Sequence, residues 1–120
     1  MPFAPVVLRK NADKYIKNPK NIRSPYMMIG FDTKENYKDL ISAVHPADKS
    51  ARPQILEEGQ NPQMEEILDE FERITGRSIL LNTSFNLRGE PIVQTPQDAF
   101  RTFSNSSMDM LVLGNFIIQK

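Results

Sequence analysis

Apolar side chains recur at Met64, Ile67, Leu68, Phe71 and Ile74, a spacing that gathers them on one helical face and leaves Glu65, Glu66, Asp69, Glu70 and Glu72 to solvent. Asn61 offers a side-chain oxygen to the first turn, Pro62 suits the first helical position, and Gly76 ends the run. A second helix is announced by Thr95-Pro96-Gln97-Asp98, with Ala99, Phe100 and Phe103 as its apolar side. Before both, residues 1–8 contain two prolines and should run extended, and Arg9 to Ile16 reads as a short helix.

Strand-length apolar runs fill the remainder. Tyr26 to Phe31 reads as a buried strand with Met27 and Met28 in the core, and Asp32 to Lys38 as a surface connection. Leu40 to Val44 reads as a weaker strand ended by Pro46, and Ser50 to Leu56 as another in which Pro53 must sit at an edge or bulge. Ser78 to Asn82 has the character of a central strand. Met110 to Leu113 and Phe116 to Ile118, separated by Gly114-Asn115, form a hairpin with a type II′ turn. Strands separated by helices predict an α/β fold: a mixed, twisted sheet with a few packed helices, in a single partial domain spanning residues 1–120.

Fifteen basic against fifteen acidic residues give a formal charge of zero, so no global field draws the chain to nucleic acid or to a membrane surface. Anion recognition must then be local. The basic residues Arg9, Lys10, Lys14, Lys17, Lys20 and Arg23 crowd the first part of the chain, which reads most simply as a solvated face. The absence of cysteine removes disulfides and thiolate metal sites, and no run approaches the length of a membrane span, so a cytoplasmic location is expected.

Two stretches could carry chemistry. Residues 82–91, Asn-Thr-Ser-Phe-Asn-Leu-Arg-Gly-Glu-Pro, follow a strand, where open α/β sheets bind ligands. Thr83 and Ser84 can donate to phosphate oxygens, Asn82 and Asn86 can donate or accept, and Arg88 presents a planar fork. The same residues could instead build a tight turn, with Asn86 and Gly89 at unusual backbone angles, Ser and Thr satisfying local amides, and Arg88 paired to Glu90 on the surface. The second stretch, Val44 to Gln54, gathers His45, Lys49, Ser50 and Arg52 in a loop flanked by strands, able to hold a polyphosphate or to be an ordinary solvated loop. His45 is the sole histidine, and no metal-ligating constellation accompanies it.

Residues 82–93 followed by Thr95-Pro96-Gln97-Asp98-Ala99 resemble the signature that ends the O-carbamoyltransferases of nodulation-factor and antibiotic biosynthesis. Pro2-Phe3-Ala4-Pro5, Ser24-Pro25-Tyr26-Met27 and His45 through Ala51-Arg52 to Gln54 agree in the same order. The resemblance implies a YrdC-like domain, truncated on its N-terminal side, that uses ATP as a substrate with carbamoyl phosphate to form carbamoyl adenylate. It implies a Kae1-like transferase domain, in the same or a separate chain, that carries the metal, with none in this segment. By the same resemblance Arg52 and Ser84 are the catalytic positions, and Asn82, Thr83, Asn86, Arg88, His45 and Lys49 line the substrate and nucleotide pocket. Ala47-Asp48-Lys49-Ser50 departs from the Asp-Gly-Thr type turn commoner in that family. A non-catalytic binding module that keeps the fold is the alternative, and a homo-oligomer is possible.

Overall fold

The computed structural model describes residues 3–120, apart from the side chains of residues 36, 37, 39 and 41. The chain divides into two compact units, Met1–Thr83 and Ser84–Lys120.

The first unit is built on β1 (Ala4–Leu8), which lies in the middle of a three-stranded mixed sheet. It runs parallel to β4 (Gln54–Leu56) and antiparallel to β5 (Ile79–Asn82). The alternation of a pleated strand sorts its residues onto two faces. Val6 and Leu8 join Leu56, Leu68, Met64 and Leu80 on one side, whereas Val7, Ile55 and Ile79 join Ala12, Tyr15, Ile16, Phe31 and Leu40 on the other. Both faces are therefore covered. Pro5, which has no N–H to give, precedes the first β1–β4 partner pair, Val6 with Gln54, so that ladder loses no donor.

The α2 helix (Pro62–Thr75) follows its sequence signals closely. Asn61 accepts from the Met64 N–H at 3.2 Å, and Gly76 closes the helix with φ of 75°, a left-handed conformation that glycine adopts without Cβ strain. Leu68 is fully buried, which by area is worth about 1.5–3 kcal/mol. The apolar stripe is wider than the sheet beneath it, so Ile67 and Ile74 remain exposed.

Five strand and helix expectations are corrected. Residues 26–31 are not a buried strand: only Phe31–Asp32 is extended, as β2, while Met28 is 81% exposed, Tyr26 is exposed and Met27 half-buried. Pro25 precedes the run and Met27 takes φ of 57°, which breaks an extended path. Residues 40–44 are not a strand either, because Glu35–Ala43 forms a 3-10 helix with a kink at Leu40. Leu40, Ala43 and Val44 are spaced three and four apart, and all three are buried. The loop holding His45 is consequently flanked by that helix and by β3 (Ser50–Ala51), rather than by two strands. Finally, β5 is an edge strand of its sheet, and α1 stops at Ala12 (Arg9–Ala12). The 50–56 run breaks at Pro53 into β3, which pairs with β2, and β4, which pairs with β1.

In the second unit α3 (Pro96–Ser104) packs on the hairpin β6 (Met110–Leu113) and β7 (Phe116–Gln119). Ala99, Phe103 and Leu111 form its core with Phe85, Val93, Leu113 and Ile118. The helix starts with a reciprocal cap: the Asp98 N–H donates to Thr95 Oγ1, and Thr95 donates from its backbone N–H and its hydroxyl to the Asp98 carboxylate. The Thr95 hydroxyl, with backbone donors, holds the Asp98 carboxyl below its ordinary range. Gly114 opens the hairpin turn with φ of 59°, the angle a type II′ turn needs at its first central position.

Candidate functional site

Within the first unit, three stretches distant in sequence meet. The Ile55 N–H donates to Ser24 O at 2.8 Å and Ser24 Oγ donates to Pro53 O at 3.0 Å, fixing the Ser24-Pro25 corner beside β4. Gln54 Nε2 donates to Pro25 O at 3.1 Å, and Gln54 Oε1 accepts from Asn82 Nδ2 at 2.7 Å. The Asn82 amide also lies 3.8 Å from Met27 Sδ. Asn82 is thus tied into a partly buried polar chain. Phe3 N–H donates to Ser42 O at 3.1 Å, which brings the start of β1 against the end of the 3-10 helix.

A hollow of about 280 Å³ opens there, lined by Phe3, Ala43, His45, Asp48, Ser50, Ala51 and Arg52. His45 and Arg52 therefore share one cavity. The turn between them is held from within: Asp48 Oδ1 accepts from the Ser50 N–H at 2.9 Å and its hydroxyl at 2.7 Å, and lies 3.3 Å from His45 Nδ1. The Ser50 N–H and hydroxyl, with His45 a lesser contributor, keep the Asp48 carboxyl below its ordinary range. Backbone bonds from His45 N–H to Ser50 O and from Lys49 N–H to His45 O close the turn. Arg52 is exposed and makes no hydrogen bond or ion pair among the described residues, so its five donors are available to an anion. Lys49, expected beside His45, lines a different hollow with Lys17 and Lys34, and its ammonium donates to Pro46 O at 3.0 Å.

The second unit holds the rest of the signature as a compact turn. Ser84 Oγ donates to Asn86 Oδ1 at 2.5 Å, and Asn86 Nδ2 donates to Leu87 O at 3.2 Å and to Glu90 O at 2.9 Å. Glu90 N–H returns to Leu87 O, and Val93 N–H to Phe85 O, both at 3.0 Å. Gly89 takes φ of 87° where the chain reverses. Asn86 thereby pins the loop, Ser84 is oriented by it, and Arg88 projects with no ion pair to Glu90 among the described residues. Thr83, at the end of the first unit, is exposed.

Phe3 and Gln54 fall within the stretches Pro2-Phe3-Ala4-Pro5 and His45 to Gln54, yet the sequence assigns neither a site role. Their signal was weak because a phenylalanine near a proline and a single glutamine carry no chemistry until the fold places them. Among the described residues, no three His, Asp or Glu side chains gather in a way that could hold a metal ion, and no helix is long and apolar enough to cross a membrane.

Comparison with known proteins extends over the same residues. The Carbamoyltransferase C-terminus family matches residues 1–120. The chain is 38% identical over 120 residues to nodulation protein NolNO of Sinorhizobium fredii, covering 99% of this chain and 18% of that protein. It is 36% identical over 120 residues to nodulation protein NolO of Bradyrhizobium diazoefficiens, covering 99% and 22%. An uncharacterized protein of Methanocaldococcus jannaschii is 42% identical over 120 residues, covering all of this chain and 23% of that protein. The chain thus spans under a quarter of the length of these curated relatives.

Proposed function

This chain belongs to the Carbamoyltransferase C-terminus family, and from that premise we propose that it supplies anion-binding groups for the formation of carbamoyl adenylate by an O-carbamoyltransferase. The substrates are carbamoyl phosphate and ATP, and the product passes to a Kae1-like transferase domain that carbamoylates a hydroxyl acceptor. Residues 1–120 then form part of one YrdC-like domain. The observation that carries this reading is the unpartnered Arg52 guanidinium at a hollow shared with His45.

The chemistry asks for what such a group can give. Carbamoyl phosphate loses its phosphate to water, and an oxygen of the resulting carbamate attacks the α-phosphorus of ATP. The bond from that phosphorus to the bridging oxygen breaks, and pyrophosphate leaves. Negative charge spreads over the phosphoryl oxygens in the transition state, where a fixed guanidinium and oriented hydroxyls stabilise it with little reorganisation. Arg52 supplies the cation, its loop braced by the Asp48–Ser50 bonds. Ser84, whose hydroxyl proton turns from Asn86 Oδ1 to a phosphoryl oxygen when substrate binds, supplies a donor; Thr83 and Arg88 add donors along the same stretch, and Asn82 and Asn86 shape it.

The test is pyrophosphate release from ATP and carbamoyl phosphate, measured with the full-length protein. Arg52→Ala and Ser84→Ala should each lower the rate by about a hundredfold or more, as losing one transition-state donor does. The far-ultraviolet circular dichroism should not change. Parent-like rates in both variants would remove the two residues from the reaction.

A further inference from the structure

A second hollow in the first unit shares no lining residue with the one at Arg52. It is open, has a volume of about 710 Å³, and is lined by Asp13, Lys14, Lys17, Thr33, Lys34, Glu35 and Lys49. Backbone ladders place three of its lysines together. Lys17 N–H donates to Asp32 O at 2.8 Å, Lys34 N–H to Tyr15 O at 2.7 Å, and Thr33 N–H to Lys49 O at 3.3 Å. Ile16 and Thr33 form an antiparallel bridge between them. The three cations therefore stand on adjoining, mutually bonded segments.

None of the three is in an ion pair among the described residues. Lys34 Nζ donates to the Asp13 carbonyl and Lys49 Nζ to the Pro46 carbonyl, while the Lys17 ammonium has no partner among the described residues. Lys14 differs, being paired with Glu72 at 2.6 Å. Lys49 also occupies a backbone position with φ of 57°, where a glycine sits without strain and a lysine does not. Its side chain offers the fold one exposed bond to a carbonyl.

We propose that this hollow binds a small phosphorylated polyhydroxy compound, such as a sugar phosphate, at a site separate from that of Arg52. Lys17, Lys34 and Lys49 take the phosphate by charge-assisted hydrogen bonds. The Asp13 and Glu35 carboxylates, neither of them in an ion pair among the described residues, accept from hydroxyls on the remainder of the molecule. A bare polyanion suits this lining less well, because the two carboxylates repel it. The volume lies within the range of small-molecule sites.

Calorimetric titration of the 120-residue chain with ribose 5-phosphate and with glucose 6-phosphate tests this, with inorganic phosphate and free ribose as controls. One of the two sugar phosphates should bind at least about tenfold more tightly than either control. Lys17→Gln and Lys49→Gly should each weaken it at least about fivefold, while Arg52→Ala leaves it within about twofold. Lys49→Gly also relieves the backbone, so its unfolding midpoint should hold or rise. The proposal is overturned if neither sugar phosphate binds below about 10 mM, if inorganic phosphate binds equally well, or if the lysine variants bind like the parent. Loss of binding in Arg52→Ala would likewise overturn it, by making the two hollows one site. Failure here leaves pyrophosphate release untouched, so the two proposals are separable.

Discussion

Asn82, the last residue of β5, donates its side-chain amide to Gln54 Oε1 at 2.7 Å, joining the strands that flank β1 on either side. Gln54 in turn donates to Pro25 O, so one polar chain fastens the Ser24-Pro25 corner, β4 and the end of β5.

Breaking that link should cost stability. Asn82→Ala leaves Gln54 Oε1 without its donor in a partly buried place, and should lower unfolding free energy by about 1 kcal/mol. Gln54→Ala should cost a similar amount, about 1 kcal/mol, and the double variant less than the sum, because the two share one bond. Urea denaturation of the four proteins measures the coupling, and strict additivity would mean that the bond is not made in solution.

Tyr15 makes a second, more buried connection. Its Oη accepts from the Ser78 N–H at 3.0 Å and lies 3.3 Å from Ser78 Oγ, and both residues are buried. Tyr15→Phe keeps the ring in the core but strands the Ser78 donors. We expect a loss of about 1–3 kcal/mol by chemical denaturation. A loss of less than a few tenths would show that water or another group serves Ser78.

Acid should act through Glu72 among others. Lys14, and next to it Asn11, hold this carboxyl below its ordinary 4.5. On acidification the unfolded chain therefore takes up its proton first. The stability Glu72 contributes is complete above its unfolded pKa and is lost as pH falls through the lower folded value. Asp48, Glu70 and Asp98, also depressed, act in the same direction. At the alkaline end Lys10, raised above 10.5 chiefly by its bond to Asp69, contributes below that pH and loses its effect as pH rises through the folded value. Unfolding midpoints followed from about pH 7 to about pH 3 should fall, and Glu72→Gln should make the fall shallower. A parallel curve would exclude Glu72.

The elements legible in the sequence are those whose ends carry their own chemistry. Asn61 and Gly76 bracket α2, Thr95 and Asp98 start α3, and Gly114 turns the hairpin, each through contacts within a few residues. Segments decided by distant partners were not legible. The 26–31 run has strand composition, yet the corner made with Pro53 and Gln54 takes its backbone away from a ladder. Residues 40–44 have the composition of a strand, but Leu40, Ala43 and Val44 have helical spacing. At the site, Arg52 and His45 could be named from sequence, but that Lys49 faces another hollow depends on a left-handed backbone angle at that residue. Of the tight turn that residues 82–91 also allow, the structure has the positive φ at Gly89 but not at Asn86, which acts through its side-chain amide, and no Arg88–Glu90 ion pair forms among the described residues.

The position of β1 carries a consequence for synthesis. Val6 must find Gln54 on one flank and Leu80 on the other, so the middle strand of this sheet is translated long before either neighbour. A nascent chain emerging from the ribosome thus holds this strand without β4 until residue 56 has cleared the exit tunnel and without β5 until residue 82 has. Chaperone demand should therefore rise while residues 9–82 are being made.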